Sequence, residues 1–115
     1  MDENLGQMKL SPPEGDEQPL TAEEIDELMP QIPEWDLAQE GGIDKLRRTF
    51  TFGNFAQALD FTNRVGEIAE QHRHHPIITL TWGRATVTWY THSIGGLHEN
   101  DLIMAAKTDE HYASE

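Results

Sequence analysis

Apolar residues recur along the chain with two different periods, and the switches between them predict its elements. Leu20 precedes Thr21, Glu24 follows three residues on, and Ile25 comes next. That arrangement is a capping box with a hydrophobic staple, so a helix begins here. Pro30 and Pro33 keep it short. Trp35 opens an extended stretch that breaks at Gly41-Gly42. From Leu46 to Phe52 the pattern alternates, with Leu46, Phe50 and Phe52 on one side and Arg47, Thr49 and Thr51 on the other. Alternation of this kind predicts a half-buried strand. Asn54, with Gln57 behind it, can cap a second helix. In that helix Phe55, Ala58, Phe61, Val65, Ile68 and Ala69 share a face through about His72. Ile78, Leu80 and Trp82 alternate again, and Gly83-Arg84 predicts a tight hairpin turn with glycine at its first central position. Ala85, Val87 and Trp89 return along one face. A last helix, from about Glu99 to Tyr112, buries Leu102, Ile103, Ala105 and Ala106.

The order is helix, strand, strand, helix, strand, strand, helix, with no long crossover and no internal repeat. It predicts an α+β two-layer domain, a four-stranded antiparallel sheet with helices packed on one face. A sheet this small leaves edge strands, which a soluble protein must cover, charge or pair with another subunit. Oligomerisation by edge pairing is expected on that ground.

Composition narrows the picture. A chain of 115 residues is expected to form one domain. It contains no cysteine, which excludes a disulfide framework and a thiolate zinc site. Its 21 acidic side chains against 8 Lys and Arg, net −13, leave no basic face for a nucleic-acid backbone. The apolar runs are too short for a membrane span or signal peptide, so the cytoplasm is the expected compartment. The charge is unevenly spread: residues 1–36 hold eleven acids and one base, Lys9. Residues 1–19 also carry Pro12, Pro13 and Pro19, no aromatic residue and few aliphatics. They are expected to form a disordered acidic lead before a single domain spanning 20–115.

The candidate chemistry is histidine. His72, His74, His75 and His92 sit at or beside the two ends of the predicted hairpin, so strand pairing brings His74-His75 close to His92. Pro76 restrains His75 to an extended conformation, and Gly95-Gly96 are expected to keep the following loop open to a ligand. Neutral imidazole is a competent base near neutral pH and imidazolium a competent acid. Clustered rings favour a mixture of the two forms. Zinc chelation by His72 with His74, or His74 with His92, helped by Glu70 or Asp101, is a second reading. Plain surface histidines beside a turn are a third. Glu70 either orients a histidine or is a solvated helix residue, and Asp101 suits the N-terminal charge of the last helix. Trp35, Trp82 and Trp89 read as core or interface aromatics, with Trp35 alternatively lining the pocket.

The run Glu70-Gln71-His72-Arg73-His74-His75-Pro76, then Thr91-His92, Gly95-Gly96-Leu97 and Asp101, resembles the pterin-4a-carbinolamine dehydratase family. Trp35, Phe50-Thr51-Phe52, Phe55, Ala58 and Phe61 fit the same family upstream, so the resemblance spans about residues 20–109. It implies a dehydratase (a hydro-lyase) acting on 4a-hydroxytetrahydropterin, made by aromatic amino acid hydroxylases, to give quinonoid dihydropterin. The implied enzyme uses neither metal nor redox cofactor; the pterin is its substrate. The implied assembly is a homodimer or homotetramer built through sheet and helix contacts. The resemblance places the catalytic histidines at His74, His75 and His92. It places the pterin-contacting segments at Arg73 to His75 and at Tyr90, Thr91, His92 and Ser93. Of the three, His75 is expected to be the principal acid. A scaffold or assembly factor on the same fold is the alternative it leaves open. Three positions depart from the family pattern. Ser93 stands where an acid is usual, and Ile77 replaces a frequent acid or amide. His98 stands where Ser or Thr usually caps the last helix, a loss of about 0.5–2 kcal/mol if nothing else caps it.

Overall fold

The computed structural model describes residues 4–12 and 17–113. Three α-helices, α1 (Ala22–Leu28), α2 (Phe55–His72) and α3 (Glu99–Ala113), accompany four strands. The strands are β1 (Asp36–Glu40), β2 (Ile43–Thr51), β3 (Ile77–Thr81) and β4 (Arg84–Trp89). They form one antiparallel sheet in the order β1-β2-β4-β3, which leaves β1 and β3 as edges.

Local sequence accounts for the element boundaries. Both halves of the Thr21–Glu24 capping box form, at 3.2 and 2.9 Å. α1 tightens into a 3-10 turn at Pro30. Asn54 caps α2 through the Gln57 N–H, and Gln57 reaches back to the Gly53 N–H. The hairpin between β3 and β4 differs by one residue from the expected turn. Thr81 pairs with Arg84, so the central residues are Trp82 and Gly83, with glycine second at φ +72°. A left-handed backbone at that second position favours glycine there.

The pairing register aligns the apolar faces. Leu46 lies opposite Trp89, Phe50 opposite Ala85 and Ile78 opposite Val87. α2 packs over β3 and β4, and α3 over β2 and β4. Phe61, Val65, Leu102, Ile103 and Met104 fill the space between helices and sheet. Burying one such side chain stabilises by about 1.5–3 kcal/mol. Phe55, expected on the inward face of α2, is 42 % exposed on this single chain, and Trp82, expected in the core or at an interface, is outside the core at 71 %. Arg48 takes the core side of β2 between Leu46 and Phe50. It does so because Asp109 of α3 meets it at 2.7 Å and also accepts the Trp35 indole N–H at 2.8 Å. Burial nevertheless pushes the Asp109 carboxyl upward, its bonds from Trp35 and Arg48 working the other way.

The expected disordered lead is corrected over residues 4–12, which dock on the core; residues 1–3 and 13–16 lie outside those described. Leu5 is 1 % exposed, and Met8 and Leu10 pack on the same cluster. Leu5 N–H donates to Gln31 Oε1 (3.0 Å) and Lys107 Nζ donates to the Gly6 carbonyl (2.8 Å). Asn100 binds both backbone groups of Ser11, at 2.9 and 2.6 Å. The segment has few aliphatics, but they are spaced to lie on α3. Leu5→Ala is therefore expected to cost about 2–5 kcal/mol. In a thermal melt that is a fall of roughly 10 °C or more. A chain lacking residues 1–12 that melted like the intact protein would overturn the docking.

Candidate active site

α2 delivers the first two histidines through its C-terminus. Arg73 adopts a left-handed conformation (φ 53°), and its N–H reaches the Glu70 carbonyl while the His74 N–H reaches that of Ala69. This double closure is a Schellman motif. It turns the chain sharply, and Pro76 then prevents any return to helix. His74 and His75 therefore fall at the entrance of β3. Because Ile77 pairs with Thr88, that entrance lies beside the exit of β4.

The third histidine stands on a closed loop. Thr91 and Gly96 bridge one another around the 3-10 turn His92–Ile94, and Gly95 (φ +67°) completes the reversal. The glycines do not hold this loop open, as the sequence suggested. They let it close, and Gly96 is buried so near Pro19 that a β-carbon there would lie 2.8 Å from the proline.

Arg73, His74, His75, Tyr90, Thr91, His92 and Ser93 line one cleft of about 390 Å³, with Ile77 at its rim. Every residue assigned to catalysis or substrate contact from the sequence lies there. Of the supporting residues, Glu70 touches His75, Asp101 lies behind His74, and Trp35 does not line the cleft. Trp35 is a core residue, 2 % exposed, edge-on to Phe50.

The three imidazoles have different surroundings. His74 Nε2 lies 2.5 Å from Asp101 Oδ1, and the ring stacks on Trp89 at 5.5 Å and 15°. Asp101 is wholly buried; its Oδ2 accepts the Thr91 hydroxyl (2.8 Å) and the His98 N–H (2.9 Å). A carboxylate only accepts, so His74 carries its proton on Nε2, and Nδ1 makes no hydrogen bond among the described residues. His75 is exposed, its Nε2 3.2 Å from Glu70 Oε1. His92 is exposed as well, set edge-on to Tyr90 at 6.4 Å. One held ring and two solvent-facing rings around one cleft can divide proton donation from proton acceptance.

Several contributors are absent from the sequence reading. Lys45 places its ammonium 4.5 Å over the Tyr90 ring, a contact set by the β2–β4 register. Trp89 supports His74 from the sheet. His98 is not a lost cap: its Nδ1 accepts the Asn100 N–H at 2.9 Å, while Asp101 accepts the His98 N–H. Imidazole and carboxylate together cap the helix start in place of the usual Ser or Thr. Among the described residues, no group of three His, Asp or Glu is arranged to hold a metal ion. No helix among them is long and apolar enough to cross a membrane.

A small α+β sheet protein with a histidine-lined cleft at one strand end is the class this geometry defines. The family described as Pterin 4 alpha carbinolamine dehydratase matches residues 18–111. The chain belongs to that family. A Chlorobium limicola protein bearing the pterin-4-alpha-carbinolamine dehydratase name is 60% identical over 90 residues, 78% of this chain and 80% of the relative. One from Marinobacter nauticus is 52% identical over 109 residues, 95% and 98% of the two chains. A solved structure from Brucella melitensis, described as a transcriptional coactivator/pterin dehydratase, superposes with a TM-score of 0.74 at 31% identity. It covers 82% of this chain and 98% of that one. A pterin dehydratase-like protein identified as a RuBisCO assembly factor in the alpha-carboxysome shares the fold, with a TM-score of 0.58 and 22% identity. There the cover is 70% and 93%.

Proposed function

We propose that the protein dehydrates 4a-hydroxytetrahydropterin to quinonoid dihydropterin by histidine acid–base catalysis. The observation that carries this reading is the convergence of His74, His75 and His92 on one cleft, in a chain of this family. At the carbinolamine carbon the neighbouring nitrogen lone pair expels the hydroxyl, which leaves as water once protonated. One histidinium supplies that proton, and a neutral histidine takes the proton lost from nitrogen. His75, exposed beside the Glu70 carboxylate, is assigned the donor role. His74, held by Asp101, orients the pterin and relays protons with His92. The product is a dihydropterin whose reduction returns a tetrahydropterin cofactor, tetrahydrobiopterin in the simplest case, to an aromatic amino acid hydroxylase in the cytoplasm.

The reaction needs no metal and no redox cofactor. Purified protein is expected to accelerate dehydration of chemically generated 4a-hydroxytetrahydropterin, followed by absorbance, and to do so equally in excess chelator. No acceleration would refute the reading, and loss on chelation restored by zinc would refute the metal-free mechanism.

The surface supports a homodimer or homotetramer. Among the described residues β3 is an unpaired edge bearing Ile77 (50 % exposed), with Trp82 in the turn just past its end, and α2 presents Phe55 and Leu59, 42 and 40 % exposed. The same surface favours a second reading, an assembly scaffold, which an oligomeric but catalytically inert protein would establish.

A further inference from the structure

A second cavity, of about 350 Å³, lies beside the first and shares Arg73 and His74 with it. Its other walls are His72, Asn100 and the docked segment Leu10-Ser11-Pro12. We propose that it is an oxyanion subsite, taking a phosphate or carboxylate on the side chain of the pterin held in the first cleft. The proposal rests on the dehydratase reading for its substrate.

Four observations carry it. First, among the described residues no carboxylate lines this cavity, although the chain has a net charge of −13. Second, the Arg73 guanidinium forms no ion pair among the described residues, and neither it nor the Ser11 hydroxyl has a hydrogen-bond partner there. Guanidinium presents a fork of donors matched to phosphate and carboxylate. Third, Arg73 occupies the left-handed position that closes α2, where glycine would be easier (φ 53°). Holding a long cation at a strained position is a cost without a structural return. Fourth, Asn100 spends its amide on the Ser11 backbone, so the wall that the docked segment supplies is fixed in place.

Among the described residues, the charged and titratable groups placed around His72 are Arg73 and His74, which share its cavity, and Lys107 on α3. Burial, with Lys107, holds the His72 imidazole below its ordinary value. It therefore stays neutral at pH 7 and offers a donor nitrogen. A bound oxyanion would favour its cation and move it back upward.

Inorganic phosphate is the direct probe, with the His72 ring protons followed by NMR. Saturable shifts and a raised His72 titration midpoint are expected in the intact protein. Arg73→Gly, which suits the backbone, should weaken binding roughly tenfold or more, and Arg73→Lys by less. Absence of a saturable shift, or equal binding by Arg73→Gly, overturns the subsite. A second arm compares carbinolamines with phosphorylated and neutral side chains. A kcat/KM preference for the phosphorylated one that collapses in Arg73→Gly assigns the oxyanion to the substrate. Phosphate binding without that preference overturns the side-chain assignment and leaves a site for the free ion. Phosphate binding with no turnover of either substrate supports the oxyanion site and overturns the dehydratase reading.

Discussion

Alanine in place of His75 is expected to lower the dehydration rate by about 10²–10⁴-fold, the range a positioned acid or base contributes. Stability should change by no more than about 0.5 kcal/mol, as for other surface substitutions. The His75 side chain is 60 % exposed and among the described residues hydrogen-bonds only Glu70, itself 80 % exposed, so truncation opens no cavity and strands no buried partner. What it removes, on the proposed mechanism, is the proton that turns the departing hydroxyl into water. Initial rates and thermal melts of the two proteins, with size-exclusion profiles to hold assembly constant, separate these effects. Equal rates would remove His75 from the mechanism. If neither protein turned over, the scaffold reading would replace the enzyme.

The sequence was most legible where the determinants were local. Thr21 and Glu24 close their capping box because both donors and acceptors lie within one turn. The histidine cleft was legible for a related reason. A two-residue turn fixes how β3 and β4 pair, so the residues flanking the hairpin must meet. What went unread depends on contacts between distant segments. Which strand lies beside β4 is not written in any local period, so Lys45 over Tyr90 stayed hidden. Arg48 breaks the expected alternation because its partner Asp109 comes from α3, 61 residues away. The docked segment was misread because composition averages over residues 1–19. Docking needs only Leu5, Met8 and Leu10 at the right spacing against a helix that buries both of its flanks. His98 was read by residue type, as a poor cap. A ring nitrogen accepts from a helix N–H as well as a hydroxyl does once the proton sits on the other nitrogen. That other nitrogen, Nε2, lies 3.0 Å from Glu17 Oε2.

Asp101→Asn is expected to reduce turnover about 10²-fold or more while costing only about 1–2 kcal/mol of stability. Oδ2 of Asp101 receives two donors, the Thr91 hydroxyl and the His98 N–H. In the variant the amide oxygen must take that place, since an NH₂ group there would face donors on both sides. The amide nitrogen then falls opposite His74 Nε2, where Oδ1 stood at 2.5 Å. A donor facing Nε2 forces that nitrogen to accept, and the His74 proton moves to Nδ1. The nitrogen left over changes from acceptor to donor, so a ring that the proposed mechanism uses to relay protons as a base no longer can. The fold barely notices, because each buried donor keeps an acceptor. Asp101→Ala is the contrasting case: three donors lose their partner, and stability should fall by about 3 kcal/mol or more. Nitrogen-15 shifts of His74 report the tautomer directly, and a merely structural role for Asp101 would leave them in place. If Asp101→Asn showed the flipped tautomer yet kept the parent rate, His74 would be a binding residue only. The base would then have to be His92, whose exposed ring on the Thr91–Gly96 loop is the remaining imidazole of the cleft.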